Sequence, residues 1–385
     1  MIDSNRDVRA IIFDLYGTLI HEPDFEDCFS TLASAIGIDE AEYRQARQKT
    51  VADAMVGRFV TAEDRARAIL AELGRPNHGG LAERLAEIER RHRWPRVRPY
   101  TATISTLQTL RERGYPIGLV SDCTGLMGRP IPERLGILPL LDAVALSYEV
   151  GHAKPSPEIF RAAIDPLGVS PENCLYVGDG GSDELNGASA LGMTTARIDQ
   201  EGAFARTAHP APSDYVVVGL DEVLDLPPLN PGRAAFPSLD VAWVKADLAL
   251  GGRVDPLNVP RLAKLGLGSV VDLRAEESDD PEFLAEHGLR FLHLPMPDCH
   301  PLTQQQMRDG SRWVREERAA GRRVLVHCQH GVGRSVMLAA AVLLDEGFDI
   351  DSALRHIQSR RPRMALNEAQ LGAVQDYASR VSSDE

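Results

Sequence analysis

The chain has 385 residues, more than one compact core usually holds, so two domains are expected. A net charge of −14 argues against general affinity for nucleic acid or an anionic membrane, and no apolar run reaches the ~20 residues of a membrane span. Five scattered cysteines (Cys28, Cys123, Cys174, Cys299, Cys328) without CxxC spacing, and a start "MIDSNRDVRA" with no apolar core, point to a reducing cytoplasm.

In chain order, the first strand candidate is "VRAIIF" (8–13). The next, "PIGLVS" (116–121), comes about a hundred residues later. The intervening insert, about 22–98, carries four amphipathic helical stretches and reads as a helical cap placed after the first strand. Its basic end, "RRHRWPRVR" (90–98), reads as a solvated helix terminus. Further strands are expected at 143–147, 174–178, 194–198 and 214–218, with helices between most of them. Near-continuous apolar strands alternating with helices predict a doubly wound parallel α/β sheet.

The segment "LPPLNPGRAAFPS" (226–238) has four prolines and little periodicity. It divides the chain into 1–226, a linker at 227–238, and 239–385. The second half predicts strands at 248–252, 269–274, 289–295 and 322–328, then helices at 335–347, 349–361 and 367–381. Asn367 with Gln370 three residues on is a capping-box-like start. This is a second, smaller α/β domain.

"VHCQHGVGRS" is the most specific stretch of the chain. A strand ends at Cys328, a loop with Gly331 and Gly333 follows, and an apolar helix starts at Ser335. Backbone N–H groups of such a loop (Gln329, His330, Gly331, Val332, Gly333) converge on an anion, and the helix dipole favours negative charge there. Arg334 adds a two-pronged grip on phosphate oxygens. The same field favours a thiolate, which beneath a bound phosphate is a nucleophile aimed at phosphorus.

The pattern HCxxGxxRS resembles the signature of the cysteine-dependent tyrosine and dual-specificity phosphatases. The resemblance covers about 238–382 and implies Cys328 as nucleophile, Arg334 as phosphoryl ligand and Ser335 as aid to thiol departure, with no metal cofactor. It also implies a general acid on an upstream loop. "LHLPMPDCHP" offers Asp298; Asp309 is a second candidate in a stretch that reads as helix. "VVDLR" (270–274) and "SRRPRMALN" (359–367) are similar to flanking segments of the same family. Sulfur transfer of the rhodanese type would not require the Asp298 loop. His327 reads either as a loop-orienting group or as a satisfied strand-end residue, and His330 as an exposed loop residue. A reversible Cys299–Cys328 pairing is a further possibility.

In the first half, four strand ends carry chemistry: Asp14; Ser121 with Asp122; Lys154 in "GHAKPSPEIF"; and Asp179 in "GDGGSDEL", with Asp183 and Glu184 behind it. Ligands of open α/β sheets bind at such strand ends. Asp14 and Asp179 with a backbone carbonyl make a hard-oxygen site for Mg²⁺, and Lys154 with Ser121 a phosphate site. The order of motifs over about 8–225 resembles the haloacid dehalogenase superfamily with a helical cap. That resemblance implies Asp14 as nucleophile, the Tyr16 carbonyl and Asp179 as Mg²⁺ ligands, and Asp183 in support. Phosphatases of the superfamily carry DxD, where this chain has "DLY", the pattern of 2-haloacid dehalogenases, while "GDGGSDEL" is similar to the metal-binding phosphatase form. Three readings stay open for this half: a slow or specialised phosphatase, a phosphometabolite-binding module that regulates the second domain, or a hydrolase that attacks carbon. Together the two halves read as a phosphate-monoester hydrolase acting on a phosphoprotein or small phosphorylated metabolite.

Overall fold

The structure is a computed structural model that describes residues 7–22, 27–200, 212–232 and 234–381. Their contacts separate at Ala235/Phe236 into two compact units.

In the first unit, β1 (Ala10–Phe13) leads into a short ribbon, β2 (Ile20–His21) paired antiparallel with β3 (Arg98–Pro99). Then come β4 (Ile117–Ser121), β5 (Ala143–Leu146), β6 (Cys174–Gly178), β7 (Thr194–Ile198) and β8 (Tyr215–Val217). The six-stranded sheet has the order β5-β4-β1-β6-β7-β8 and is parallel throughout. Alternation explains why its strands are apolar at every position. Ile11, Phe13, Leu119, Leu175 and Val177 face one core layer, beneath helices Thr103–Glu112 and Leu220–Val223. Ala10, Ile12, Val120 and Tyr176 face the other, beneath Pro157–Ile164 and Glu184–Ala190. Central strand β1 therefore opens its carboxyl end between those of β4 and β6.

Between β2 and β3 lie five helices: Asp27–Ala35, Glu40–Lys49, Val51–Met55, Ala62–Glu72 and Leu81–Arg93. They build their own core from Phe29, Leu32, Tyr43, Ile69, Leu70 and Leu85. The ribbon is too short to leave a period in the sequence. It fixes where the insert leaves and re-enters, helped by buried Arg93, which grips Glu22 at 2.7 and 2.8 Å. Leu226 and Leu229, at the head of the proline-rich segment, are buried in this unit's core.

The second unit orders its strands β12-β11-β13-β10-β9, where β9 is Val241–Lys245, β10 Leu248–Gly251, β11 Leu267–Arg274, β12 Arg290–Met296 and β13 Arg323–His327. All neighbours are parallel except β9 and β10. Strand β9, a half-buried antiparallel edge strand, was not among the expected strands, although Val241 to Val244 form an apolar run. Helix Arg334–Asp345 is buried from Arg334 to Leu344, so it is apolar on every side and forms the unit's axis. Helices Gln304–Ala319, Ile350–Arg360 and Glu368–Val381 pack with it. Among the described residues, no helix is long and apolar enough to cross a membrane.

Candidate active sites

Strand β13 runs into the loop Cys328–Gly333, and the axial helix begins at its far end. Four consecutive carbonyls of this loop are engaged from outside. That of Gln329 accepts from Arg253 N at 3.1 Å, that of His330 from Arg361 Nη2 at 3.4 Å, that of Gly331 from Arg361 Nε, and that of Val332 from Ala365 N at 2.8 Å. With its carbonyls turned out, the loop directs N–H groups toward the cysteine, and Gly331 N donates to Cys328 Sγ at 3.2 Å. The Sγ lies 3.6 Å from Ser335 Oγ, and both residues are buried. Gly331, at φ +65°, has no space for a side chain: a Cβ would fall 2.0 Å from Arg361 Nη2. Arg361 is itself fixed by Asp240 at 2.7 Å. Asp240 carried no signal in the sequence, whereas Arg361 lies in "SRRPRMALN", the segment similar to the family's flank.

Arg334 is 1% exposed. Its Nη1 donates to Glu276 at 2.8 Å and to the Met296 carbonyl at 2.9 Å, its Nη2 donates to Glu276 at 2.7 Å, and its Nε has no partner. The Arg334 hydrogen bonds hold the Glu276 carboxyl down to about 2. Sequence reasoning missed Glu276, although it stands two residues after the quoted "VVDLR". Asp298 stands on the loop after β12, with Oδ1 3.1 Å from Arg334 Nη2 and a side chain 56% exposed, open to a substrate. Asp309 is drawn along its own helix to Arg312 at 2.7 Å and Gln305 at 2.8 Å. His327 is fully buried, with Nε2 2.8 Å from Asp279 Oδ2 but off the hydrogen-bond direction. His330 is exposed, and so is Cys299.

In the first unit Asp14, Lys154, Asp179 and Glu184 meet in one buried cluster, and Ser121 ends the neighbouring strand β4. Lys154 Nζ donates to Asp14 Oδ1 and to Glu184 Oε2, both at 2.5 Å. Asp122 Oδ1 accepts from Lys154 N at 2.9 Å and fixes the lysine's loop. Burial pulls the Lys154 pKa down, but the Asp14 and Glu184 carboxylates outweigh it and keep the ammonium protonated. Ser121 Oγ is buried without a hydrogen-bond partner, as a group awaiting an anion would be. Gly17, at φ +88°, lets the chain pass over Asp179, whose Oδ2 would lie 2.1 Å from a Cβ there.

Asp14, Asp179 and Glu184 each offer an oxygen within 4.8 Å of the others, a donor set suited to a hard cation. Asp183 is not part of it. The turn Gly181–Asp183 has positive φ at Ser182 (53°) and Asp183 (55°), which directs Asp183 to solvent, where it accepts from Asn186 Nδ2 at 2.7 Å. Glu184 takes the inner position, where burial raises its carboxyl and Lys154 opposes that rise. Tyr16 directs its hydroxyl away from an acid/base role, donating to the Met127 carbonyl at 2.7 Å. Burial first, then the Glu22 charge, hold this phenol well above its ordinary range.

Residues 8–192 match the family model of haloacid dehalogenase-like hydrolases, and residues 249–380 that of the dual specificity phosphatase catalytic domain. Over 227 residues the chain is 28% identical to a glyceraldehyde 3-phosphate phosphatase of Methanocaldococcus jannaschii, a match covering 57% of this chain and 96% of that protein. It is 26% identical over 243 residues to (S)-2-haloacid dehalogenase 4A of Burkholderia cepacia, covering 61% and 100%. The second unit is 27% identical over 143 residues to dual specificity protein phosphatase 8 of Mus musculus, covering 37% of this chain and 21% of that protein. The chain thus joins a haloacid dehalogenase-like domain to a dual-specificity-type phosphatase domain, and it is a hydrolase of the phosphatase class.

Proposed function

We propose that the chain hydrolyses phosphate monoesters at two chemically independent sites. The observation that carries the second site is the outward-turned loop around a buried Cys328, with Arg334 Nε unpaired beside it. Cys328 attacks phosphorus, and the loop N–H groups of Gln329 to Gly333 with Arg334 hold the equatorial oxygens. Asp298 gives its proton to the departing oxygen, then takes one from the water that cleaves the phosphocysteine. Ser335 steadies the departing thiolate. None of these steps needs a metal.

At the first site, Asp14 attacks phosphorus and displaces the ester oxygen, while Lys154 and Ser121 hold the phosphoryl oxygens and Asp122 keeps the lysine's loop in place; water then cleaves the aspartyl phosphate to free Asp14 and phosphate. Asp14, Asp179 and the Tyr16 carbonyl would hold Mg²⁺, which when bound shields the carboxylate from the incoming anion. Tyr16 offers no carboxylate to protonate the leaving oxygen, so turnover is slow and favours good leaving groups. A second reading, attack on carbon, draws on Tyr16 itself and on the haloacid dehalogenase relative. Halide release from a 2-haloacid would favour it. A third, in which this unit binds a phosphometabolite and regulates the other, requires binding without turnover.

The substrate class is a phosphoprotein or a small phosphorylated metabolite. Net charge −14 disfavours nucleic acid, and a working Cys328 thiolate needs a reducing compartment such as the cytoplasm. We take 1–226 and 239–385 as the working domains, with the first extended to residue 235 to keep the buried Leu229 in its core. The testing experiment is phosphate release from aryl phosphate with and without EDTA. The Cys328 site retains activity in chelator and the Asp14 site does not.

A further inference from the structure

The chain between the two units does more than tether them. Its last stretch, 236–240, opens the second unit and is fastened to it along its length. The Arg261 guanidinium lies over the Phe236 ring at 4.7 Å and donates to the Pro237 carbonyl at 3.1 Å. Asn258 Nδ2 donates to the Ser238 carbonyl at 3.0 Å, and Leu239 packs against a core that includes Val259 and Leu262. Arg261 and Asn258 are both buried, and Arg261 Nη1 also donates to Asn258 Oδ1 at 2.8 Å, so the two fasteners brace each other.

Asp240 closes the stretch, and its carboxylate stands behind the loop that holds Cys328. Its Oδ2 accepts from Arg361 Nη2 at 2.7 Å and its Oδ1 from Arg361 Nη1 at 3.1 Å. Arg361, 3% exposed, carries that hold to the His330 and Gly331 carbonyls. Asp240 Oδ2 also accepts from Gly252 N at 2.7 Å. Gly252 is wedged between this carboxylate and the Gln329 carbonyl, 2.6 and 3.3 Å from where a Cβ would stand. The residues on either side of Gly252 complete the hold: Arg253 N donates to the Gln329 carbonyl at 3.1 Å, and the Gly251 carbonyl accepts from Cys328 N at 3.3 Å. One carboxylate thus fixes the anchors of Cys328, Gln329, His330 and Gly331. Breaking its pair with Arg361 leaves a buried guanidinium uncompensated against the loop.

We propose that Asp240 is a positioning residue for the Cys328 cradle, and that 236–240 is a strap through which the junction between the units controls activity at that site. Lifting the strap frees Arg361 and Gly252. The loop carbonyls are then no longer held outward, which weakens both the N–H cradle for an oxyanion and the N–H support of the thiolate. This rests on reading the Cys328 loop as a phosphate cradle.

The test uses the full chain in EDTA and measures three things: kcat and KM for an aryl phosphate, inhibition by tungstate, and the pH dependence of Cys328 alkylation by iodoacetamide, located by mass spectrometry. Asp240→Asn keeps the side chain's shape and removes its charge. It should raise KM and the tungstate inhibition constant about 10-fold, the scale of a charge-assisted hydrogen bond, and Asp240→Ala should raise them further. In both, the alkylation profile should move to higher pH, while the leaving-group dependence, which reports on Asp298, stays as in the parent. A loss of folded protein alone would lower kcat and leave KM, inhibition and the alkylation profile unmoved. Arg361→Lys should act like Asp240→Ala, and the two combined should cost far less than the product of their separate losses, because both act through one pair. Arg261→Gln, which loosens the strap at its upstream end, should shift inhibition and alkylation in the same direction, several-fold. The parent's inhibition constant and alkylation profile in Asp240→Asn, or fully multiplicative losses in the double variant, would overturn the positioning role, and an unmoved Arg261→Gln would overturn the strap. Alkylation reports on the loop without turnover, which separates this inference from the reading beneath it. EDTA-resistant turnover with profiles that Asp240 does not move sinks the inference alone. Profiles that move with Asp240 in a chain without such turnover sink the phosphatase reading alone, and absence of both sinks both.

Discussion

The two sites solve the same problem with opposite layouts. In the proposed mechanism the second site's nucleophile, anion cradle and phosphoryl ligand lie within eight consecutive residues, Cys328 to Ser335, and only the acid comes from elsewhere. At the first, each group arrives on a different strand end, from Asp14 to Asp179. The compact layout makes the cradle from main chain, so its chemistry depends on where carbonyls point, which Arg361, Arg253 and Ala365 determine. The dispersed layout makes it from side chains, so one substitution can remove one function and leave the rest. On the proposed reading Tyr16 is such a case: the groups that would hold anion and metal persist around Asp14 while the proton donor is missing.

The largest effect expected from this contrast is at the compact site. Cys328→Ser should lower metal-independent hydrolysis of an aryl phosphate by ~10⁴–10⁶-fold, and Arg334→Ala should approach it, because nucleophile and cradle act as a unit. Steady-state assays in EDTA measure this. A Cys328→Ser protein that keeps its EDTA-resistant turnover would remove the thiolate mechanism altogether.

Next in size is the acid. Asp298→Ala should slow esters with poor leaving groups by ~10²–10⁴-fold and an activated aryl phosphate much less. A leaving-group series reads this out, and a uniform loss across the series would make Asp298 a structural partner of Arg334 instead.

Restoring what the dispersed site lacks should produce a gain. In a Cys328→Ser background, Tyr16→Asp should raise Mg²⁺-dependent phosphatase turnover at least ~10-fold, part of the usual value of general acid catalysis. Adding Asp14→Asn should abolish it. An unchanged rate, with halide released from a 2-haloacid by the parent, would move this site to carbon chemistry.

A smaller effect concerns Glu276, which orients Arg334 without reaching a substrate. Glu276→Gln should cost about 10-fold in kcat/KM, the scale of a charge-assisted hydrogen bond, with the leaving-group dependence unchanged. A changed leaving-group dependence would mean that Glu276 takes part in proton transfer.

What was legible in the sequence follows the same division. The sheet strands of the first unit could be placed to within a residue or two because burial on both faces leaves unbroken apolar runs such as "AIIF" and "CLYVG". The signature loop was legible because strand, glycines and helix start are contiguous. Less visible were partners whose role depends on three-dimensional approach. Glu276 and Asp240 are distant in sequence from the loop region they support, and a lone Glu or Asp carries no periodic signal; Arg361 lay in the segment similar to the family, but with no role attached. Asp183 and Glu184 show the limit within a single motif: two adjacent carboxylates are indistinguishable until positive φ at Ser182 and Asp183 turns one outward and buries the other. Edge strand β9 was missed although Val241 to Val244 form an apolar run, because it stands just behind the proline-rich segment read as a linker.

The central claim is that one chain carries two independent phosphatase sites, and a single set of rates tests it directly. Phosphate release from an aryl phosphate is measured for the parent, Cys328→Ser, Asp14→Asn and the double variant, each in Mg²⁺ and in EDTA. Independent sites predict that Cys328→Ser loses only the EDTA-resistant rate, that Asp14→Asn loses only the Mg²⁺-dependent increment, and that the double variant is inert in both. A single substitution that eliminates both rates, or a double variant that still turns over, would contradict it.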